Sequence, residues 1–189
     1  MTIALIMLAV VVLVALAIGL YIVNTQRSLV KLDENCKNAL GQIQVQLNSR
    51  WDALLALAKT ASQYAQHESE TLIKVIQQRR GEELNSAEAI NSNQGELNQV
   101  LGRLIAIGEA YPDLKANEMF AKTMDAVNSY EENVRMSRMV YNDSATKLNR
   151  AVRQWPSSFV ASMLHFTERE YLKVDQEQKS QMPDIFGDK

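Results

Sequence analysis

Cysteine and aromatic residues are scarce in this 189-residue chain, and it carries no strong excess of charge. The one cysteine, Cys36, excludes an internal disulfide framework and a zinc site made of cysteines, and we expect it to be a small buried residue. The net charge of −2 at pH 7 and the aromatic content of 6% offer neither a basic field nor many stacking surfaces. We therefore expect no nucleic-acid binding.

Charge is absent from the start of the chain. No charged side chain precedes Arg27, and the run from Ile3 to Val23 is almost entirely apolar. As a helix, this run would measure roughly 32 Å, close to the ~30 Å hydrocarbon core of a bilayer. It predicts a transmembrane anchor over residues 1–25. The alternative is a signal peptide cleaved near Ala15-Leu16-Ala17, but no basic residue precedes the run and the run continues beyond that site.

The orientation of the anchor follows from the distribution of basic residues at its two ends. No lysine or arginine precedes the apolar run, whereas Arg27, Lys31 and Lys37 follow it closely. Cytoplasmic segments carry the excess of such residues. We therefore expect a single-pass protein with its N-terminus outside and its C-terminal domain in the cytoplasm.

Helix breakers are missing from the next part of the chain. There is no proline before Pro112 and no glycine between Gly41 and Gly81, which predicts one very long helix through this stretch. Apolar positions recur there at the spacing of a helix that buries one stripe. The two rows of that stripe are Leu40, Leu47, Leu54, Ala61, Glu68 and Val75, and Cys36, Ile43, Arg50, Leu57 and Tyr64.

Further helices are predicted beyond this stretch, all in one domain over residues 26–175. Residues 82–95 are polar and predict a loop; a helix over 96–110 ends at the break Tyr111-Pro112-Asp113. A second long helix, about 117–154, carries the cleanest seam of the chain: Phe120, Val127, Val134, Tyr141, Leu148 and Trp155. Pro156 ends it, and Ser157 or Ser158 caps a last helix whose apolar face comprises Phe159, Met163, Phe166 and Tyr171.

No segment shows the alternation of a β-strand, so we predict an all-α fold. The transmembrane helix continues into an elongated antiparallel bundle of three or four long helices. The first helix has more stripe positions than the shorter helices can cover, which favours contact with another subunit. Residues 176–189 are predicted to be a mobile polar tail.

Charged residues interrupt the predicted apolar stripes at Arg50, Glu68, Glu131 and Arg138. A buried charge without a partner is costly, so these residues should pair with one another or reach water. We interpret them as a structural layer of salt bridges that fixes helix register. The sequence leaves open whether Glu131 and Arg138 pair within one subunit or between two.

A carboxylate metal site built from His67, Glu68 and Glu131 is the alternative interpretation of these charges. The Glu-x-x-His pairs of di-iron bundles are missing, and His165-Phe166-Thr167-Glu168 has the reverse order. There is also no Gly-x-Ser-x-Gly, phosphate loop or His-Glu-x-x-His motif. We therefore assign no catalytic, cofactor-binding or metal-binding residue and expect a protein that is not an enzyme.

Several motifs along the chain resemble the LemA family of bacterial membrane proteins. They comprise Arg50-Trp51-Asp52, Tyr64-Ala65-x-His67-Glu68, Glu109-x-Tyr111-Pro112-Asp113-Leu114-Lys115-Ala116-Asn117-x-x-Phe120, Glu131-x-x-Val134-x-x-x-Arg138-x-x-Tyr141-Asn142, Asn149, Pro156 and Pro183-x-Ile185-Phe186. LemA-like sequences tend to have a proline within the segment that corresponds to Ser49–Ala56. That proline is missing here, which favours a straight first helix.

The resemblance implies a single-pass protein of the bacterial inner membrane with a helical-bundle domain, and a link to membrane-protein quality control or envelope organisation. It supplies no reaction. Our first hypothesis is a membrane-anchored scaffold or adaptor that forms homo-oligomers or presents its bundle to partner membrane proteins. Small residues in the span, including Ala15, Ala17 and Gly19, would let helices approach. A membrane-coupled sensory bundle is the second hypothesis, and a metal-binding bundle is the third.

Overall fold

The computed structural model describes residues 2–173, which form six helices and no β-strand. The predicted all-α fold is confirmed. The helices are α1 (Thr2–Ala61), α2 (Gln66–Arg79), α3 (Ala87–Ala110), α4 (Pro112–Lys115), α5 (Glu118–Arg153) and α6 (Ser157–Met163). The tail predicted for residues 176–189 lies outside the described residues.

Helix α1 runs for 60 residues without interruption, including the segment 49–56 where the family-type proline is missing. An 18-residue window in its N-terminal part is apolar enough to cross a membrane, and none of that window is buried inside the protein. From Leu29 onwards one stripe of the same helix is buried. Other parts of the same chain therefore cover this stripe. The expected uncovered positions, which favoured contact with another subunit, are not present between Leu29 and Ala61.

The prediction of one helix across residues 41–81 was wrong, because the chain turns at Ser62–Ala65. The Ala61 carbonyl accepts hydrogen bonds from the N–H groups of both Tyr64 and Ala65, and α2 then begins at Gln66. Neither glycine nor proline marks this turn. It shifts the buried face of the following helix by one residue, to Ser69, Leu72 and Ile76, so that Glu68 is exposed rather than part of a buried layer.

Helix α3 begins at Ala87, not at Glu96 as expected. Ser86 caps it, since its hydroxyl oxygen accepts a hydrogen bond from the Ala89 N–H at 3.1 Å. The predicted loop is correspondingly shorter. Its polar second half is helical and buries Ile90 and Asn93.

The predicted break at Tyr111, Pro112 and Asp113 is confirmed. Helix α3 ends at Ala110, and Pro112 opens the single turn α4. Helix α5 then starts after Asn117, whose side-chain oxygen accepts hydrogen bonds from the Met119 and Phe120 N–H groups at 2.9 and 3.2 Å. Five of the six seam residues of α5 are buried: Phe120, Val127, Val134, Tyr141 and Leu148.

Trp155, the sixth predicted seam residue, is 85% exposed. Its assignment to the seam was wrong because α5 ends at Arg153, so the heptad pattern does not extend to residue 155. The predicted last helix also differs from α6, which is only seven residues long and buries Val160 and Ala161 rather than Phe159 and Met163. Neither predicted serine provides a side-chain cap, and Pro156 holds the N-cap position.

Helix α6 stops early because the chain adopts a left-handed conformation at His165, with φ of 58°. The Phe166 N–H bonds the Ala161 carbonyl and the His165 N–H bonds the Ser162 carbonyl. This pair of hydrogen bonds is the Schellman arrangement that terminates helices. Glycine or asparagine usually holds the left-handed position, so a histidine there does not predict the end of the helix.

The described chain divides into two compact units. One contains α1 up to Leu40 together with Val140–Tyr171, and the other contains Gly41–Met139 with residues 172 and 173. In the second unit, α3 and α5 are antiparallel: Arg138 bonds the Ile90 carbonyl, while Gly108 lies against Phe120 near the other end of both helices.

Candidate functional site: buried arginines and their partners

Arg50 is the most deeply buried charged residue of the second unit, with 0% exposure. Its Nη2 donates to the Glu131 carboxylate at 3.0 Å and to the Asn98 side-chain oxygen at 3.1 Å. Burial lowers the pKa of the Arg50 guanidinium, and the Glu131 charge opposes that shift. Three helices therefore meet at this arginine, one contributing the cation and the other two its partners.

A second buried hydrogen bond lies next to Arg50 along α1. The Trp51 indole N–H donates to the Asn93 side-chain oxygen at 3.1 Å, and both side chains are buried. Asn93 lies in the stretch for which the sequence predicts a loop. The signal that would have found it is its helical spacing with Ile90 and Leu97, which share the buried face of α3.

Arg138 is also buried, at 3% exposure, and its hydrogen bonds include two to main-chain carbonyls. Its Nη1 donates to the Lys173 carbonyl at 2.7 Å and its Nη2 to the Ile90 carbonyl at 3.4 Å. The predicted salt-bridge layer is therefore not one cluster, because Arg50 and Arg138 bond different partners. The carboxylate of Glu131 pairs with Arg50 within one chain.

The residues of the alternative metal site do not come together. His67 and Glu68 are exposed on α2, while Glu131 bonds Arg50. Within residues 2–173, no group of three histidine, cysteine, aspartate or glutamate side chains could hold a metal ion. These positions therefore supply no geometric support for a metal-binding bundle.

The first unit has a polar cluster that the sequence analysis missed. Asp33 on α1 accepts a hydrogen bond from Arg169 Nη2 at 2.7 Å and lies 3.0 Å from Lys37 Nζ. Burial alone would raise the pKa of the Asp33 carboxyl, but the hydrogen bonds from Arg169 and Lys37 outweigh it and the pKa is lowered. The neighbouring Cys36 is 1% exposed, which confirms it as a buried residue, and burial raises the pKa of its thiol.

The segment after α6 is attached to α5 in the same unit. The Asn149 side chain donates to the Arg169 carbonyl at 2.9 Å and accepts from the Arg169 N–H at 2.7 Å. The Tyr141 hydroxyl donates to the Glu170 carbonyl at 3.0 Å. Asn149 and Tyr141 thus provide hydrogen bonds for main-chain groups outside the helices. The sequence analysis identified Tyr141 only as a seam residue and Asn149 only as a motif residue.

The model of the LemA family matches residues 39–186. The chain belongs to the LemA family. Protein LemA of Metamycoplasma hominis is 26% identical to it over 156 residues, which is 79% of this chain and 70% of the relative. Arg50, Glu131, Arg138 and Asn149 all lie within the matched region of this LemA-family chain.

Two further relatives are named as magnetosome proteins. Magnetosome protein MamQ of Magnetospirillum gryphiswaldense is 29% identical over 86 residues, 46% of this chain and 32% of the relative. MamQ 2 of Paramagnetospirillum magneticum is 25% identical over 91 residues, 48% of this chain and 34% of the relative. The match spans about a third of the length of these MamQ relatives.

Proposed function

We propose that this LemA-family protein is a membrane-anchored helical scaffold that associates with copies of itself and presents its body, the helical part that follows residue 25, to partner membrane proteins. The observation that carries the proposal is the continuity of α1. One helix includes both the exposed apolar window and the buried stripe of the body, so the body is joined to the membrane span without a flexible linker. The buried arginines support a structural role, since their partners are internal.

The proposed location is the bacterial inner membrane, with the body in the cytoplasm. Arg27 and Lys31 follow the apolar run directly. An excess of cations beside a span is typical of its cytoplasmic end.

Self-association is proposed to occur through the membrane span. The stripe of α1 between Leu29 and Ala61 is already buried within the chain, whereas the span is exposed. Small residues in the span, such as Ala15 and Gly19, allow helices to pack closely in lipid. Relatives named as magnetosome proteins support a membrane-associated role, and the proposal includes a link to membrane-protein quality control or envelope organisation.

The test is the mass of the full-length protein in nanodiscs, measured by mass photometry beside a variant whose residues 3–23 are replaced by a polyleucine span. We expect a defined oligomer for the wild type and a monomer for the variant, because the replaced residues remove the close helix contacts. A wild-type monomer at all concentrations would contradict self-association. An oligomer that survives the replacement would place the contact in the body instead of the span.

A membrane-coupled sensory bundle is the second candidate, and the same continuous helix favours it. Cys36 and Asp33 lie on α1 beyond the apolar run, so a change in the tilt or position of the span would reach their buried cluster. This candidate requires that the body respond to the bilayer. Labelling of Cys36 in bilayers of different thickness distinguishes it from a static scaffold.

A further inference from the structure

The corner between α5 and α6 exposes apolar side chains that the proposed scaffold leaves unexplained. Trp155 is 85% exposed, Phe159 68% and Met163 51%. Phe159 and Met163 are four residues apart in α6 and therefore share one face of it. A cluster of large apolar residues on a surface marks a place that contacts something other than water.

The position of this corner relative to the span suggests what it contacts. An apolar groove in the first unit has one wall made by Trp155, Pro156, Phe159 and Val160. Its other wall is made by four residues of α1, Ala17, Ile18, Tyr21 and Ile22. All four belong to the last two turns of the uncharged run that predicts the membrane span. The corner therefore lies beside the end of the span.

We propose that this corner is a second membrane contact, with Trp155 and Phe159 inserted into the interfacial layer of the leaflet in which the α1 span ends. A phospholipid acyl chain occupies the groove between the corner and α1. Tryptophan and tyrosine are enriched at this depth because their rings are amphipathic, and Tyr21 lines the same groove. Amphipathic helices bind in the plane of the interface with their apolar face in the same layer.

The polar groove next to the apolar one fits the headgroup of such a lipid. It is lined by Asn24, Thr25 and Ser28 of α1, which follow the last residue of the apolar wall by two to six positions, and by Lys147 and Arg150 of α5. At about 1.5 Å per residue this is the step from acyl chains to phosphates. Arg150 and Lys147, the latter also paired with Asp143 at 2.6 Å, favour an anionic phospholipid, since basic side chains near the surface are attracted to the negative cytoplasmic leaflet.

A second copy of the chain is the competing occupant of the apolar groove. The position beside the span favours lipid, because one wall of the groove consists of residues that face the bilayer in any case. The cations in the neighbouring groove add to this, since they complement a phosphate. The inference goes beyond the proposed function and shares with it only the requirement that α1 spans the membrane.

The test uses the fluorescence of Trp155 in full-length protein reconstituted into phosphatidylcholine vesicles, with and without phosphatidylglycerol. The chain has two tryptophans, so Trp51→Phe leaves Trp155 as the reporter, and Trp155→Phe leaves buried Trp51 as the matched control. Bromine-labelled lipids quench from the membrane and iodide quenches from water. If Trp51→Phe does not fold, fluorotryptophan labelling of the wild type, assigned with Trp155→Phe, gives the same information by NMR with a lipid-borne spin label.

We expect bromolipids to remove most of the Trp155 emission and iodide to have little effect, while Trp51 responds to neither. Quenching by iodide alone would overturn the inference, because Trp155 would then be in water. Protection from both quenchers would also overturn it, because a protein surface would then cover the corner. Flotation of the same vesicles at high salt shows separately whether α1 spans the membrane. A chain that does not span it would dissociate from the vesicles, whereas a chain whose corner lies in water would stay with them.

The headgroup part of the inference is tested with Lys147→Gln/Arg150→Gln. In the wild type, we expect phosphatidylglycerol to increase the quenching of Trp155 by bromolipids. In the double variant, we expect no such increase. The control is Arg103→Gln/Lys122→Gln, which removes two exposed cations from the second unit. Equal quenching of the wild type in both vesicle types would overturn the role of Lys147 and Arg150.

Discussion

Arg50 shows how a single buried side chain constrains this protein. Removing its charge from water costs several kcal/mol. The compensation in the structure comes through Nη2 alone, since Arg50 Nε and Nη1 have no hydrogen-bond partner within residues 2–173. The residue therefore depends strongly on Glu131, although the Glu131 side chain is 45% exposed.

Replacing Glu131 by leucine is expected to destabilise the body by about 2–3 kcal/mol, because it leaves the Arg50 cation buried with one neutral partner. Thermal unfolding of the full-length protein in detergent, followed by circular dichroism, measures this loss. The double variant Arg50→Met/Glu131→Leu should recover part of it, since the buried charge is then gone.

The matched control is Glu132→Leu, one position along the same helix. Glu132 forms an exposed pair with Arg135, and such pairs contribute at most about 1 kcal/mol. Equal losses for Glu131→Leu and Glu132→Leu, or a double variant less stable than Glu131→Leu alone, would show that Arg50 does not depend on this carboxylate.

Asp33 predicts a pH dependence of stability. Its pKa in the folded protein lies below the usual 3.8, so the folded state favours the charged form and the stabilisation is present above that value. It is lost as the pH falls through the lower folded-state pKa. Asp33→Asn is therefore expected to cost about 1–3 kcal/mol at neutral pH, from the lost charge-assisted hydrogen bonds, and progressively less below the usual pKa.

Urea unfolding of wild type and Asp33→Asn across the acid range measures this difference. Asp125→Asn serves as the control because Asp125 is exposed on α5. A difference between wild type and Asp33→Asn that stays constant down to the lowest pH would mean that the Asp33 charge does not stabilise the fold.

Among the helices, α3 and α5 approach closely where Gly108 lies against Phe120. A Cβ atom at Gly108 would lie 3.2 Å from the Phe120 ring, whereas one at Gly102 of the same helix would meet no atom within 4 Å. Gly102→Ala should thus stabilise the protein by about 0.5–1 kcal/mol through helix propensity. Gly108→Ala should gain less or destabilise, and equal gains in denaturant unfolding would contradict this packing.

The same helices show which element boundaries can be predicted from a sequence. The break at Tyr111–Asp113 is marked by a proline, and the start of α5 is close to a strong N-cap residue, Asn117. The turn at Ser62–Ala65 and the end of α6 at His165 carry no such residue. The unpredicted turn also explains why Glu68 was wrongly expected to be buried. Every residue after such a turn lies on a different face of the helix from the one that the spacing predicts.

At the scale of the whole molecule, α1 connects the apolar run to Cys36 without a break, so Cys36 can report whether the bilayer alters the body. Cys36 is 1% exposed and burial raises its pKa, so we expect slow labelling by maleimide at the same rate in thin and thick bilayers, as a scaffold requires. The reference is Cys36→Ala/Val45→Cys, since Val45 on the same helix is 61% exposed and should react fast. A rate at Cys36 that depends on bilayer thickness would favour the sensory candidate.

The sequence by itself determined the apolar run at the start of α1, the all-α class, the seam of α5 from Phe120 to Leu148 and the membership of the LemA family. These depend on local spacing and composition, which a linear chain displays. Only the tertiary structure decided that Arg50 pairs with Glu131, that Arg138 holds main-chain carbonyls, that Arg169 reaches Asp33 and that Trp155 lies exposed beside the span. Each of these depends on where helices turn and which residues distant in sequence then meet, and spacing along one helix carries no information about that.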